Sequence, residues 1–277
     1  MTSADGKRHE VSSDFTRVDR VADPREFVRT LDTMGALDFF ARCKRQTYAW
    51  LEIQAGAQLL DVGCGVGDDV RALAEIVGST GLVVGIDSSE TMIAEARARA
   101  TGADLPVEYH VGDGHHLPFP DNSFDGCRTE RTLHHVNQPE QVLAEMVRVA
   151  RPGARVVAFE PDFETWVVDG PDRRVARAIA NSWCDSFGDG WVGRRLPALF
   201  RDCGVTDIGV TPETLMLTDY NVAANILGLG PTVARAQAAG VVSEAEGARW
   251  LAQLEQAGQT GRFFAAATLF GVYGRKA

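Results

Sequence analysis

From Asp23 the apolar positions Phe27, Leu31, Met34, Leu37, Phe40 and Ala41 recur at helical spacing, and Cys43 to Leu51 reads as a further helix. Then the pattern shortens. Compact apolar runs appear at QLLDVG (58–63), LVVGID (82–87), VEYHVGD (107–113), FDGCRTE (124–130) and RVVAFE (155–160). Between them lie stretches with one apolar face: Val70, Leu73, Ala74 and Val77; Met92, Ile93 and Ala96; Val142, Leu143, Met146, Val147 and Ala150. Strand alternating with helix is a βαβ rhythm, so the spacing predicts a mostly parallel sheet covered by helices on both faces.

After Glu160 the rhythm breaks. Residues 163–193 form a mixed polar insertion holding Trp166, Trp183 and Trp191. RRLPALFRDCG (194–204) reads as a helix closed by glycine, VTDIGVTPETLML (205–217) as a strand or hairpin arm, and 219–261 as an Ala-rich helical insertion serving as lid or interface. RFFAAATLFGVYGRK supplies a last strand, so 194–218 and 262–277 complete the sheet of the core begun at 55–162. Residues 1–22 are polar and unpatterned, a disordered lead, and 23–54 are N-terminal lid helices.

A chain of 277 residues, 45% hydrophobic and 24% charged, can bury a sizeable core. Its formal charge of −10 and the lack of any Lys/Arg-rich run argue against a nucleic-acid partner. No stretch is apolar for long enough to span a bilayer and no apolar signal region opens the chain, so a cytoplasmic protein is expected. The five scattered cysteines form neither a CxxC pair nor a cluster with histidine, which fits a reduced compartment and no metal.

The candidate chemistry begins at LLDVGCGVGDD (59–69), where Gly63, Gly65 and Gly67 follow a strand and let a ligand approach main chain unobstructed by any Cβ. The third glycine arrives one residue too early for the dinucleotide fingerprint. A pyrophosphate prefers a bare helix N-terminus, whereas here Asp68 and Asp69 occupy it, so the expected ligand is a phosphate-free nucleoside carrying positive charge. Cys64, inside the loop, reads as a small buried residue. Asp61, Asp87 and Asp113 stand at three successive strand ends. Singly, each could be a cap or turn residue, but together with the loop they point to a ligand site. Asp87 is placed for ribose hydroxyls and Asp113 for an exocyclic adenine amine.

The ordered stretches LLDVGCGVGD, VVGIDSSETMI, VGDGHHLPFPDNSFD, RTLHHV and EMVRVARPGARVV resemble motifs of the class I, Rossmann-like S-adenosylmethionine-dependent methyltransferases. The nearest resemblance is to the ubiquinone/menaquinone methyltransferase-like group and its natural-product relatives, over roughly residues 55–160. It implies a seven-stranded sheet with the last strand antiparallel, S-adenosylmethionine as cofactor and S-adenosylhomocysteine as product. It further implies Asp61 near the methionine amine, Gly63, Gly65 and Gly67 beneath the methionine and ribose, and Asp87 on the ribose with Ser88 and Met92 beside the adenosine. Asp113, Gly114 and His115 would frame the adenine, and Thr129 and Glu130 would border the methyl end.

Loss of charge at sulfur makes an acid unnecessary for the leaving group, so what remains is alignment and, for a hydroxyl or enol-type carbon, removal of a proton. His134 and His135 are the candidate bases, with His135 favoured. Glu160 and Asp162, at the end of the fifth strand, are candidates to orient that histidine or bind the acceptor, with a turn role as the other reading of Asp162. Phe39, Phe40, Trp166, Trp183, Trp191 and Tyr220 are candidates for an apolar acceptor pocket under a lid. The expected activity is methyl transfer to oxygen or carbon of a small quinone, phenol or polyketide-like metabolite, with a homodimer as the candidate assembly. The alternative keeps the fold and the ligand without transfer, as a cyclase or isomerase.

Overall fold

The computed structural model describes residues 15–277. Two helices, α1 (Arg25–Gly35) and α2 (Asp38–Trp50), precede the alternation of β1 (Gln58–Val62), α3 (Asp68–Val77), β2 (Leu82–Asp87), α4 (Glu90–Ala100), β3 (Val107–Val111), β4 (Phe124–Glu130), α5 (Pro139–Val149) and β5 (Ala150–Val168). Then come α6 (Arg173–Cys184), α7 (Val192–Asp202), β6 (Val205–Leu217), α8 (Tyr220–Ile226), α9 (Leu229–Ala238), α10 (Glu244–Gln259) and β7 (Ala265–Lys276). The seven strands form one sheet in the order β3-β2-β1-β4-β5-β7-β6, with β1 to β5 parallel and β7 antiparallel to both its neighbours. The mostly parallel sheet expected from the spacing, and the Rossmann-like α/β class that the resemblance implies, are therefore the observed fold.

Local chemistry sets several boundaries. Ser89, Asp172 and Asp219 accept backbone N–H groups as N-caps of α4, α6 and α8, and Ser243 with Glu246 forms a capping box on α10. The reversal of order at β1, with β2 on one side and β4 on the other, opens a crevice at the strand carboxyl ends. One apolar cluster lies under α5 and α7, another under α3 and α4. A third joins α6 and α8 to α10 with the far ends of β5 to β7.

Two sequence expectations change. β5 does not stop at Glu160 but continues through the first residues of the supposed insertion, because β7 lengthens with it and pairs Val167 with Ala266 and Val168 with Ala265. Thr165 fills the irregularity between them: its hydroxyl donates to the Asp162 carbonyl and accepts the N–H of Thr268. The expected disordered lead also fails at its end. Residues 1–14 lie outside the described residues, but Phe15–Arg20 forms a 3-10 helix with Val18 buried among Phe27, Val66 and Met92.

Candidate active site

A cavity of about 320 Å³ opens at the carboxyl ends of the parallel strands. Its walls come from the loops after β1 (Gly63, Cys64, Gly65), β2 (Asp87, Ser88), β3 (Asp113, Gly114) and β4 (Arg131, Thr132, His134, His135), together with Met92 and Glu130. The glycine loop is pinned at this edge by its own amides. Gly63 and Cys64 N–H donate to the Ile86 carbonyl at 2.8 and 3.1 Å, and Gly65 N–H donates to Asp87 Oδ2 at 2.9 Å. Gly63 has φ +74°, and a Cβ there would stand 2.2 Å from Thr132 Oγ1, so only glycine lets these two loops meet.

Asp87 Oδ1 accepts the Ser89 N–H at 2.9 Å. Burial pushes its carboxyl pKa up, and the two backbone donors oppose that shift. A carboxylate offers about four lone-pair positions, so a cavity-lining Asp87 with two backbone donors keeps acceptor capacity for a ligand diol. Asp113 Oδ1 accepts from the N–H of His115 at 2.9 Å. The His115 ring bridges Asp113 and the Asn137 carbonyl, which ties down the loop, and does not itself line the cavity.

At the floor of the cavity lies a charge cluster that sequence reasoning missed, with Lys44, Asp69, Arg128 and Glu130 in the wall. β1 and β4 place Asp61 directly beside Arg128. Arg128 is 1% exposed. Its Nη1 donates to Asp61 at 2.8 Å, its Nε donates to Thr47 Oγ1 at 2.9 Å, its Nη2 donates to Glu130, and that nitrogen stands 3.2 Å from Asp69. Lys44 and Tyr48, from α2, both donate to Asp69. Burial opposes the charge on Asp69, but Arg128 and Lys44 overcome it and hold the pKa below the usual carboxylate range. Asp61 thus faces a guanidinium and is not part of the cavity wall. The charges of Asp68 and Asp69 are paired as well, Asp68 with Arg71, so the N-terminus of α3 carries no free negative charge.

At the other end, Glu160 is fully buried at the end of the parallel part of β5. Its Oε1 accepts the N–H groups of Thr132 and Leu133 at 2.8 and 2.9 Å, and its Oε2 lies 2.8 Å from His134 Nδ1. Burial drives the His134 pKa down to about 3, helped by the nearby charge of Arg131. Burial pushes Glu160 up to about 7 against the pull of its backbone donors. At neutral pH His134 is therefore an uncharged imidazole held by one nitrogen. Its ring meets Phe163 and Phe187 edge-on at 5.2 and 5.5 Å.

His135 also lines the cavity, with its ring 3.8 Å from that of His134, but Glu160 addresses His134. Asp162 neither orients a histidine nor lines the cavity; its Oδ1 accepts the Glu164 N–H at 3.2 Å, as a turn residue does. Arg194 grips it, with Nη2 donating at 2.7 Å, and so fastens α7 to β5. The Thr129 hydroxyl is spent on the Val62 carbonyl, joining β4 to β1, and Gly67 is packed against the Tyr109 ring; neither reaches the wall. Of the expected aromatics, Phe40 and Trp183 line the cavity, while Phe39, Trp166 and Tyr220 do not, and Trp191 is 48% exposed under Arg194. Phe15, Phe163 and Phe187 take their place, joined by Leu31, Met34, Leu215 and Leu269. The helical insertion contributes only Ile226 to Gly228.

A family model described as a methyltransferase domain matches residues 60–158, the span from β1 into β5. A demethylmenaquinone methyltransferase of Bacillus mycoides (strain KBAB4) is 30% identical over 219 residues, covering 72% of this chain and 90% of the relative. The chain belongs to the class I S-adenosylmethionine-dependent methyltransferases. The methyltransferase is also 40% identical over 258 residues to an uncharacterized 37.1 kDa protein in transposon TN4556 of Streptomyces fradiae, with 92% of this chain and 73% of that one covered. In fold, the methyltransferase superposes on the YcgJ protein from Bacillus subtilis with a TM-score of 0.58 at 18% identity, over 86% of this chain and 100% of the other. S-adenosylmethionine is its cofactor. No helix among the described residues is long and apolar enough to cross a membrane.

Proposed function

We propose that this methyltransferase moves a methyl group to an oxygen or carbon of an apolar small metabolite of quinone, phenol or polyketide-like type, using His134 as the base. The single observation that carries this reading is the Glu160–His134 pair at the apolar end of the cavity. On this reading Asp87 holds the ribose hydroxyls, Asp113 and Gly114 the adenine, and Gly63 and Gly65 the methionine end. When bound, the cofactor supplies an electrophilic methyl on a sulfonium. Glu160 fixes the His134 tautomer with Nδ1–H toward the carboxylate, which leaves Nε2 as the nitrogen able to take a proton from a hydroxyl or enol. Phe40, Phe163, Trp183 and Phe187 exclude water and receive the acceptor ring. The cations at the wall, Lys44, Arg128 and Arg131, are all paired with carboxylates, which favours an acceptor without an anionic group. The acidic charge and five free cysteines fit a soluble cytoplasmic enzyme.

Screening hydroquinones and phenols with methyl-labelled S-adenosylmethionine tests the reading. Label in the acceptor is the expected result. An isomerised acceptor of unchanged mass, with the cofactor intact, would establish the cyclase reading instead.

A pH dependence follows from the pair. Below about pH 7 the protonated Glu160 carboxyl keeps its proton and donates a hydrogen bond to an unprotonated His134 Nδ1, so Nε2 carries the ring hydrogen and cannot act as base. Above that pH the carboxylate accepts from Nδ1–H and the base is ready, with the carboxylate charge beside the ring favouring the imidazolium that forms as the proton moves. kcat on a hydroxyl acceptor is therefore expected to fall about tenfold per pH unit below the Glu160 pKa. A flat profile between about pH 5.5 and 8.5 would remove Glu160 from the mechanism.

A further inference from the structure

The 3-10 helix Phe15–Arg20 spans both halves of the cavity although it precedes every element of the sheet. Val18 is 2% exposed, lines the cavity and packs with Val66 of the glycine loop and Met92 of α4. Phe15 lies three residues away, with its ring 4.9 Å from Phe27 and 5.3 Å from the ring of His135, at the proton-accepting end.

One side chain fastens this segment. Asp19 Oδ1 accepts from Ser89 Oγ at 2.9 Å and from the Thr91 N–H at 3.1 Å, and its Oδ2 accepts the Glu90 N–H at 3.0 Å. These donors are the first turn of α4, where unpaired amides and the helix dipole favour an anion. The same turn begins beside Asp87, whose Oδ1 accepts the Ser89 N–H, and it carries Met92 into the cavity. A short segment held by one carboxylate and two apolar side chains is the kind of element that opens locally without global unfolding.

We propose that Phe15–Arg20 is a latch over the cofactor and acceptor, pinned by Asp19 on the N-terminus of α4, and that cofactor exchange requires Asp19 to let go. The proposal rests on the methyltransferase reading of the cavity. Asp19 is a positioning residue, since its carboxylate is used up on α4.

The test is the rate at which labelled S-adenosylhomocysteine leaves the full-length protein when chased with excess S-adenosylmethionine. Asp19→Ala is expected to release it about tenfold faster or more, because a cap of this type is worth close to a factor of ten in an equilibrium. Asp19→Asn, which keeps an Oδ1 acceptor, should fall between the two. Phe15→Ala should also release faster, and Arg17→Ala, changing an exposed residue of the same segment, should match the wild type. Release from Asp19→Asn and Phe15→Ala at the wild-type rate would overturn the latch while leaving the cofactor site intact. Failure of the wild type to bind S-adenosylhomocysteine at all would overturn the reading of the cavity, and the latch with it.

Discussion

Replacing His134 with alanine is expected to lower turnover on the true acceptor by about 100-fold or more, with S-adenosylhomocysteine affinity unchanged. His134 is the imidazole that Glu160 addresses, and among the described residues Glu160 is buried with its acceptor capacity spent on that ring and on the amides of Thr132, Leu133 and His134. Glu160→Gln should reproduce part of the loss. It keeps the shape and an oxygen acceptor but cannot stabilise an imidazolium once the proton has moved. His135→Ala separates the neighbouring rings: it should alter KM more than kcat, since His135 lines the acceptor end beside Phe15 and Phe187. Equal kcat for His134→Ala and the wild type would assign catalysis to orientation alone.

Arg128→Leu is expected to destabilise the fold by about 3 to 5 kcal/mol, read from urea unfolding. The guanidinium is the common partner of Asp61, Asp69 and Glu130, all buried, and its removal leaves Lys44 and Arg131 to face three carboxylates. Desolvated carboxylates without a counter-charge would be forced to bind protons, so the variant should lose most stability at neutral pH and less in mild acid. A change of less than about 1 kcal/mol would mean that water reaches the cluster and shares its charge.

These residues show where the sequence was legible. The glycine loop and the acids at the ends of β2 and β3 could be read because each strand and its following loop are local, and the topology of a parallel sheet brings successive carboxyl ends to one edge. Partners across the sheet could not. Arg128 stands in FDGCRTE, a strand buried on both faces, and a charge in such a strand has to be paired inside. That signal was present, but nothing in the sequence says that its partners are Asp61, Asp69 and Thr47, up to 81 residues away. The choice between His134 and His135 turns on the register of β5 against the loop after β4, which no spacing rule fixes. Glu160 and Asp162 look equivalent as AFEPDFE is written, yet they have different fates because one meets His134 and the other Arg194. The end of the polar lead hid its order for a related reason: Val18 and Phe15 are too few to make a pattern and gain their meaning only against Val66, Met92 and Phe27.

On the proposed reading, the cavity at the carboxyl ends of β1 to β4 holds S-adenosylmethionine through Asp87, with room beside it for an apolar acceptor. Calorimetric titration of the wild type and Asp87→Ala with S-adenosylhomocysteine, with NADH as control, tests it most directly. One-to-one binding by the wild type is expected, with affinity weaker by about 1.5 to 3 kcal/mol in the variant and no heat with NADH. Binding of NADH in place of S-adenosylhomocysteine, or equal affinity in the two proteins, would contradict it.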